Sequence, residues 1–406
     1  MVGERQESRW VIHPSLWFDA VCLIPLLAGL PFYTSRHEHD AQLWQERFAS
    51  IAGPQARDGV SVLREEVANR AVKPLPAFLA LWTSPAARPA GGAAESLDGL
   101  IAAVAEPSLL VSAMRDGSPH WNEADDRLFR SVRPALVAVL ESLRAAGLAD
   151  WWTEHAADDL GRRCEELSES FSAYDLVPLV EEHTGVSFDA RAVELCVLRW
   201  AAPHGIRVTG TRFLTDIRYD ADQVLNIAVH ELLHPPWPKG HPAKDRLDAL
   251  AADPFLAARF AGRDPAAGYN TWASYAEEDA AQALDQFLNT QLGRNTRGDP
   301  VTRWTEADGG MHVLALLLYD TLRRGGYDPA AGTYADFLAR ALPDASIWPR
   351  DLEARYLALT SAADLGLWVP ACSSRTSARM IRPPAVVGNG ANGGNGADDS
   401  PKPKAA

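Results

Sequence analysis

The sequence predicts an α+β fold that is predominantly helical, with a small mixed sheet ahead of one apolar helix and a helical N-terminal region before both. Three observations carry this expectation. From about residue 40 to 185 the readable segments place apolar residues at three-and-four spacing. Near Ala190 the pattern changes to a two-residue period rich in Val, Ile, Thr and aromatics. Directly after those strands stands "VLNIAVHELLHPPW", Val224 to Trp237, an apolar helical run that carries two histidines and a glutamate and then meets prolines.

At 406 residues the chain has room for two ordinary domains, or for one large domain with an elaborated subdomain. The net charge of −14 argues against a surface built to neutralise phosphates, which needs clustered Lys and Arg, so no nucleic-acid partner is expected. Cys22, Cys164, Cys196 and Cys372 are far apart and form no C-x-x-C pair. Neither a zinc knuckle nor a disulfide framework follows, and free thiols in a reducing compartment fit the pattern.

Taken in order, the first apolar segment is "LWFDAVCLIPLLAGLPF", Leu16 to Phe32. Asp19, Pro25 and Pro31 interrupt it, which makes a poor signal peptide and a worse membrane span. A buried helix with a proline kink is predicted, and a cytoplasmic location follows by default. "RHEHD", Arg36 to Asp40, puts two histidines two apart, on different helix faces, and reads as a polar loop. "QLWQERFASIA", "DGVSVLREEVANRA", "DRLFRSVRPALVAVLESLRAAGLADWW" and "ADDLGRRCEELSESFSAYDLVPLVEEH" follow as helices, with their charges on solvated faces. The Ala/Pro/Gly-rich stretch from Ser84 to Ser96 reads as a loop among them.

"VELCVLRW" and "GIRVTGTRFLTDIRY" read as strands, expected to be antiparallel, with Phe213, Thr215, Ile217 and Tyr219 sharing one face. Asp220 then supplies an N-cap with Gln223 three residues on, so a helix of about four turns begins there. Four more helical patterns continue to about residue 342. These features predict a mostly helical region over 1–189, a mixed domain over 190–372, and a disordered tail over 373–406 rich in Gly, Asn, Pro and Ser.

On a helix, residues four apart share a face, so His230 and His234 present two imidazoles to one point in space. Glu231 sits about 100° round the helix, near enough to hydrogen-bond a water at a metal without ligating it. Zinc lowers the pKa of water to about 7, and a neighbouring carboxylate can pass the water's proton to a leaving amine. Pro235, Pro236 and Pro238 stop the helix just after the second histidine.

With His230, Glu231, Leu232, Leu233 and His234 forming His-Glu-x-x-His, the chain resembles the zincin metallopeptidases, over this helix and its surroundings only. The resemblance implies a mixed sheet before the helix, with an edge strand for extended substrate that Ile206 to Tyr219 could supply. It also implies one catalytic zinc per chain with a third protein ligand. The metzincin pattern fits poorly, since Trp237 and Gly240 stand where Gly and His belong and His241 falls one position late. The gluzincin pattern takes a glutamate from a later helix, and "YAEEDAAQALDQFL" is the segment that looks like one. Helix phase favours Glu277, in line with Ala280, Ala281, Leu284 and Leu288, where a buried carboxylate would need a reason such as a metal. The family's spacing of small and apolar residues instead counts from Glu278, through Ala280, Ala281, Ala283, Leu284, Phe287 and Leu288. Glu278 is taken as the ligand and Glu277 stays open as the alternative. Gln282 stands where such enzymes carry an aspartate that orients a ligating histidine, which is a departure from the pattern.

The expected function is therefore a zinc-dependent, gluzincin-type peptidase acting on a peptide or protein, with His230, His234 and Glu278 as metal ligands and Glu231 as general base. The N-terminal region would be a cap or substrate-selecting subdomain. Tyr269, Tyr275, His312 and Tyr319 are candidates for stabilising the oxyanion. A binding or scaffold protein that keeps the metal site without turnover is the alternative, and hydrolysis of a non-peptide amide would use the same chemistry.

Overall fold

A computed structural model describes residues 9–67, 74–87, 95–118, 121–203, 205–263, 269–291 and 300–361; the tail expected over 373–406 lies outside them. Alternation along one strand organises the fold. In β2 (Val193–Leu198), Val193, Leu195 and Val197 enter one apolar core while Cys196 and Leu198 enter another. A strand buried on both faces needs cover on both, so helices lie on each side of the sheet.

The sheet has four strands in the order β1-β2-β4-β3, with β1 at Trp10–Pro14, β3 at Ile206–Thr209 and β4 at Arg212–Asp216. β1 runs parallel to β2, β2 parallel to β4, and only β3 and β4 are antiparallel. Among the strands the sequence predicts, the expectation of antiparallel pairing thus holds for β3 with β4 and fails for β2 with β4. Alternation decides which side chains share a face but carries no information on strand direction. β1 comes from the N-terminal region, so the sheet itself draws on both sides of the boundary expected near residue 189, and the described residues fall within one compact unit.

One face is covered by α1 (Leu16–Leu27), α2 (Glu38–Ile51), α3 (Leu75–Thr83), α4 (Leu97–Ala105) and α5 (Glu123–Ala145). The other carries α6 (Ala157–Phe171), α7 (Leu176–Thr184), α8 (Ala221–Leu232), α9 (Pro242–Ala249), α10 (Trp272–Gln291), α11 (Val313–Arg324) and α12 (Tyr334–Ala341). α1 is buried all round, capped by Ser15 through the amide of Phe18, and takes Pro25 in its last turn. No single helix among the described residues is long and apolar enough to cross a membrane.

"RHEHD" departs from the loop expected of it. Glu38 opens α2, and Asp40 in its first turn is buried, accepting from Arg199 Nε at 2.8 Å and Trp200 Nε1 at 2.9 Å. Acidic groups are at home at a helix N-terminus, and partners from the distant chain give Asp40 its burial. Of the expected loop from Ser84 to Ser96, Ser84–Ala86 form a 3-10 turn and residues 88–94 lie outside the described chain.

Candidate metal centre

The centre is built where α8 ends. Asp220 caps the helix as the sequence predicts, its Oδ1 accepting from Gln223 N at 2.7 Å, and Val224, Leu225, Ala228, Val229 and Leu232 bury one stripe of it in the core. The helix closes at Leu232, and the next bonds run three residues back, from Leu233 N to His230 O at 3.0 Å and from His234 N to Glu231 O at 3.5 Å. His234 therefore stands just beyond the helix, in a tightened last turn. Its Nε2 still comes within 3.1 Å of His230 Nε2.

Glu278 on α10 completes the triangle, with Oε1 3.4 Å from His230 Nε2 and Oε2 3.4 Å from His234 Nε2. A tetrahedral ion with bonds of about 2.0–2.1 Å separates its ligand atoms by about 3.3 Å, close to each of these contacts, and one donor atom from each of the three residues lies within 4.8 Å of the others. Two imidazole nitrogens and a carboxylate, with His230 and His234 only partly buried, leave room for a fourth, exchangeable ligand. His230, His234 and Glu278 could thus hold a metal ion.

Charge points the same way. Burial would lower the pKa of His230, but the Glu278 and Asp285 carboxylates beside it outweigh that and hold it up at about 10. Burial would raise the pKa of Glu278, yet His230 and His234 hold it well below the usual carboxylate range. A site that keeps an extra proton so firmly is one that favours a cation.

Neighbouring side chains approach each member of the triangle. Asp285, seven residues beyond Glu278 and so on the same side of α10, lies 3.4 Å from His230 Nδ1, a long contact. Arg303 Nη2 donates to Asp285 Oδ2 at 2.8 Å. Glu277 stands outside the triangle, 3.4 Å from His234 Nδ1, and is more exposed than Glu278. Gln282 Nε2 donates to Glu278 Oε1 at 2.8 Å. The indole of Trp304, which can only donate, meets Gln282 Oε1 at 2.8 Å and so settles which end of the amide faces Glu278. The same Nε2 lies 3.2 Å from His312 Nε2, which must then accept, leaving His312 Nδ1–H for Asp279 Oδ1 at 2.6 Å.

Glu231 faces the sheet. Its Oε2 accepts the backbone N–H of Arg207, on edge strand β3, at 3.1 Å. The Arg207 guanidinium then reaches the carbonyls of Gly210 at 2.7 Å, Glu231 at 3.3 Å and His234, binding the edge strand to the end of α8. Cationic donors suit the carbonyls of a helix C-terminus.

Most of the oxyanion candidates are committed elsewhere. Tyr275 donates to Met311 O at 2.8 Å, and His312 is fully buried between Asp279 and Gln282. Tyr319 is buried against Trp304, and the Tyr269 ring packs on His312. His241 caps α9 and meets Asp336 Oδ1 at 3.3 Å, away from the ligand triangle.

Sequence reasoning missed Asp285, although its spacing from Glu278 placed it on the ligand face. It also missed Arg303, Trp304 and Arg207, which no local pattern marks. Comparison with known proteins finds no family model, no curated relative and no solved structure that matches this chain.

Proposed function

We propose that the chain is a zinc-dependent hydrolase of the zincin type, with a glutamate third ligand, that cleaves peptide bonds. The observation that carries this reading is the triangle of His230 Nε2, His234 Nε2 and Glu278 at 3.1–3.4 Å, with Glu231 next to the first ligand. Zinc held there would polarise the scissile carbonyl and make water acidic enough to attack at neutral pH.

The remaining work falls to the chain's own groups. Glu231 takes the proton of the attacking water and delivers it to the leaving nitrogen, which also receives the second water proton, so that amide and water become carboxylate and ammonium. β3, as an edge strand, lies beside Glu231, and its backbone groups other than the Arg207 N–H, which Glu231 takes, would pair with an extended peptide. Gln282 and Asp285 hold Glu278 and His230 in place.

One contact favours the second reading, a metal-bearing binding protein without turnover: the Glu231 carboxylate already accepts the Arg207 amide. Glu231→Gln separates the two. With a mixed peptide library as substrate, the variant should keep its zinc and lose turnover by at least about a hundredfold. A wild-type protein that binds zinc and cleaves nothing would leave the binding reading standing.

A further inference from the structure

The opposite face of the sheet carries a second set of metal-binding groups. The parallel register of β1 and β2 sets His13 beside Cys196, and Glu194 stands two residues before Cys196 on the same face. His13 Nε2 is 3.0 Å from Glu194 Oε1 and 3.8 Å from Cys196 Sγ, and the three donor atoms all lie within 4.8 Å of one another. Ligand atoms round a tetrahedral zinc stand about 3.3 Å apart for nitrogen and oxygen and about 3.6 Å for nitrogen and sulfur. We propose that His13, Glu194 and Cys196 form a second metal site, for zinc or a similar borderline divalent ion, that clasps the N-terminal strand to the sheet.

The neighbours prepare these groups for an ion. His13 Nδ1 lies 3.0 Å from the carbonyl of Pro14, which can only accept, so Nδ1 carries the hydrogen and Nε2 is turned to the cluster. A ligating histidine commonly donates its other nitrogen to such a carbonyl. Glu194 divides its oxygens: Oε2 takes Arg212 Nε at 2.8 Å, and Oε1 faces His13. Arg212 is itself fixed by the carbonyls of Ser84 at 3.3 Å and Ala87 at 3.1 Å.

Charge leaves room for a cation. Glu95, held by Ser15 Oγ at 2.8 Å and Trp17 N at 3.2 Å, acts on both His13 and Cys196 through space; burial, with Glu194 and Glu95, keeps the Cys196 thiol protonated well above the usual thiol range, so a bound ion has to displace that proton. Glu194 and Glu95 against Arg212 leave one net negative charge before the thiol ionises. With no ion, His13 Nε2 can meet Glu194 only as a second N–H on a charged imidazole. With an ion, that proton and the Cys196 thiol proton go to solvent, and the nitrogen, oxygen and sulfur lone pairs share the metal instead. The His13 and Glu194 side chains are 16% and 15% exposed, which gives an ion a way in, while Cys196 is buried.

The site is independent of the proposed catalytic centre, and one property sets it apart: the catalytic triangle contains no sulfur. The first experiment is a cobalt(II) titration of the full-length, metal-free protein, following the thiolate-to-cobalt charge-transfer absorption in the near ultraviolet. A band that saturates within two equivalents, the proposed catalytic centre taking the other, and vanishes in Cys196→Ser would support the site. So would zinc content of two per chain in the wild type, falling to one in Cys196→Ser or His13→Gln and to one in His230→Ala/His234→Ala. No charge-transfer band in the wild type, or a band that Cys196→Ser retains, would overturn the proposal and leave His13 and Glu194 as an ion pair only. A wild-type spectrum without the band overturns the proposal even if a variant does not fold, and because Cys22, Cys164 and Cys372 are also thiols, a band is assigned through Cys196→Ser.

Discussion

Gln282 donates to Glu278 Oε1 at 2.8 Å, and Trp304 fixes the amide in that orientation from its other end. A residue that orients a ligand without touching the metal typically contributes ten- to a hundredfold in affinity, about 1.4–2.8 kcal/mol. Gln282→Leu should therefore bind zinc about 10–100 times more weakly, and Trp304→Phe should move affinity the same way by less. Competition with a chromophoric chelator measures both. An unchanged affinity in Gln282→Leu would show that Glu278 is positioned by other contacts.

Glu277 and Glu278 differ by one residue and should differ sharply in effect. Glu278→Gln removes a charged donor 3.4 Å from each imidazole and should lose the metal of this centre, whereas Glu277→Gln, which touches only His234 Nδ1, should retain it at reduced affinity. Mass spectrometry of native protein reads the two outcomes directly, and the reverse pattern would make Glu277 the ligand.

Metal uptake should depend on pH through His230. Its pKa is held up at about 10 by Glu278 and Asp285 against the effect of burial, so the metal-free protein carries a proton there at neutral pH. A ligating imidazole must be neutral. Binding therefore expels that proton, and apparent affinity should rise about tenfold per pH unit from pH 6 towards the folded pKa. Calorimetry in buffers of different ionisation enthalpy counts the protons released at pH 7, and a count of zero would refute the linkage.

Stability should fall in acid through His183, which is buried on α7 with Nδ1 3.0 Å from the Tyr327 hydroxyl. Burial lowers its pKa to about 4 from an ordinary 6.5. A depressed pKa contributes stability that is complete above pH 6.5 and is lost as pH falls through 6.5 to 4, here at most about 3 kcal/mol. Denaturant unfolding between pH 7 and 4 should show this slope, and it should flatten in His183→Gln.

The helix that carries His230 and His234 was legible because its signals are local. Asp220, the apolar stripe, the two histidines and the terminating prolines all act within about four turns, and the helix closes within two residues of the place they indicate. Burial of the segment after Leu16 was legible for the same reason, since a helix apolar all round has to be enclosed. β1 was not legible: it is five residues long, only Trp10 in it is buried, and its partner lies more than 180 residues away. His37 and Asp40 looked like loop residues because Arg218, Arg199 and Trp200, which contact them, come from 159 to 181 residues further along the chain.

By itself the sequence determined the helix class, the start of α8, and the pairing of His230 and His234 with Glu231 between them, because residues within a few turns meet through backbone geometry alone. Tertiary structure set Glu278 rather than Glu277 beside both imidazoles, brought Arg303 to Asp285 and Trp304 to Gln282, and set Arg207 against Glu231. It also chose the parallel register that puts His13 beside Cys196. Those outcomes depend on how α10 rotates against α8 and on which strand β2 selects, and both are set by the packing of two cores on one sheet, which no local period records.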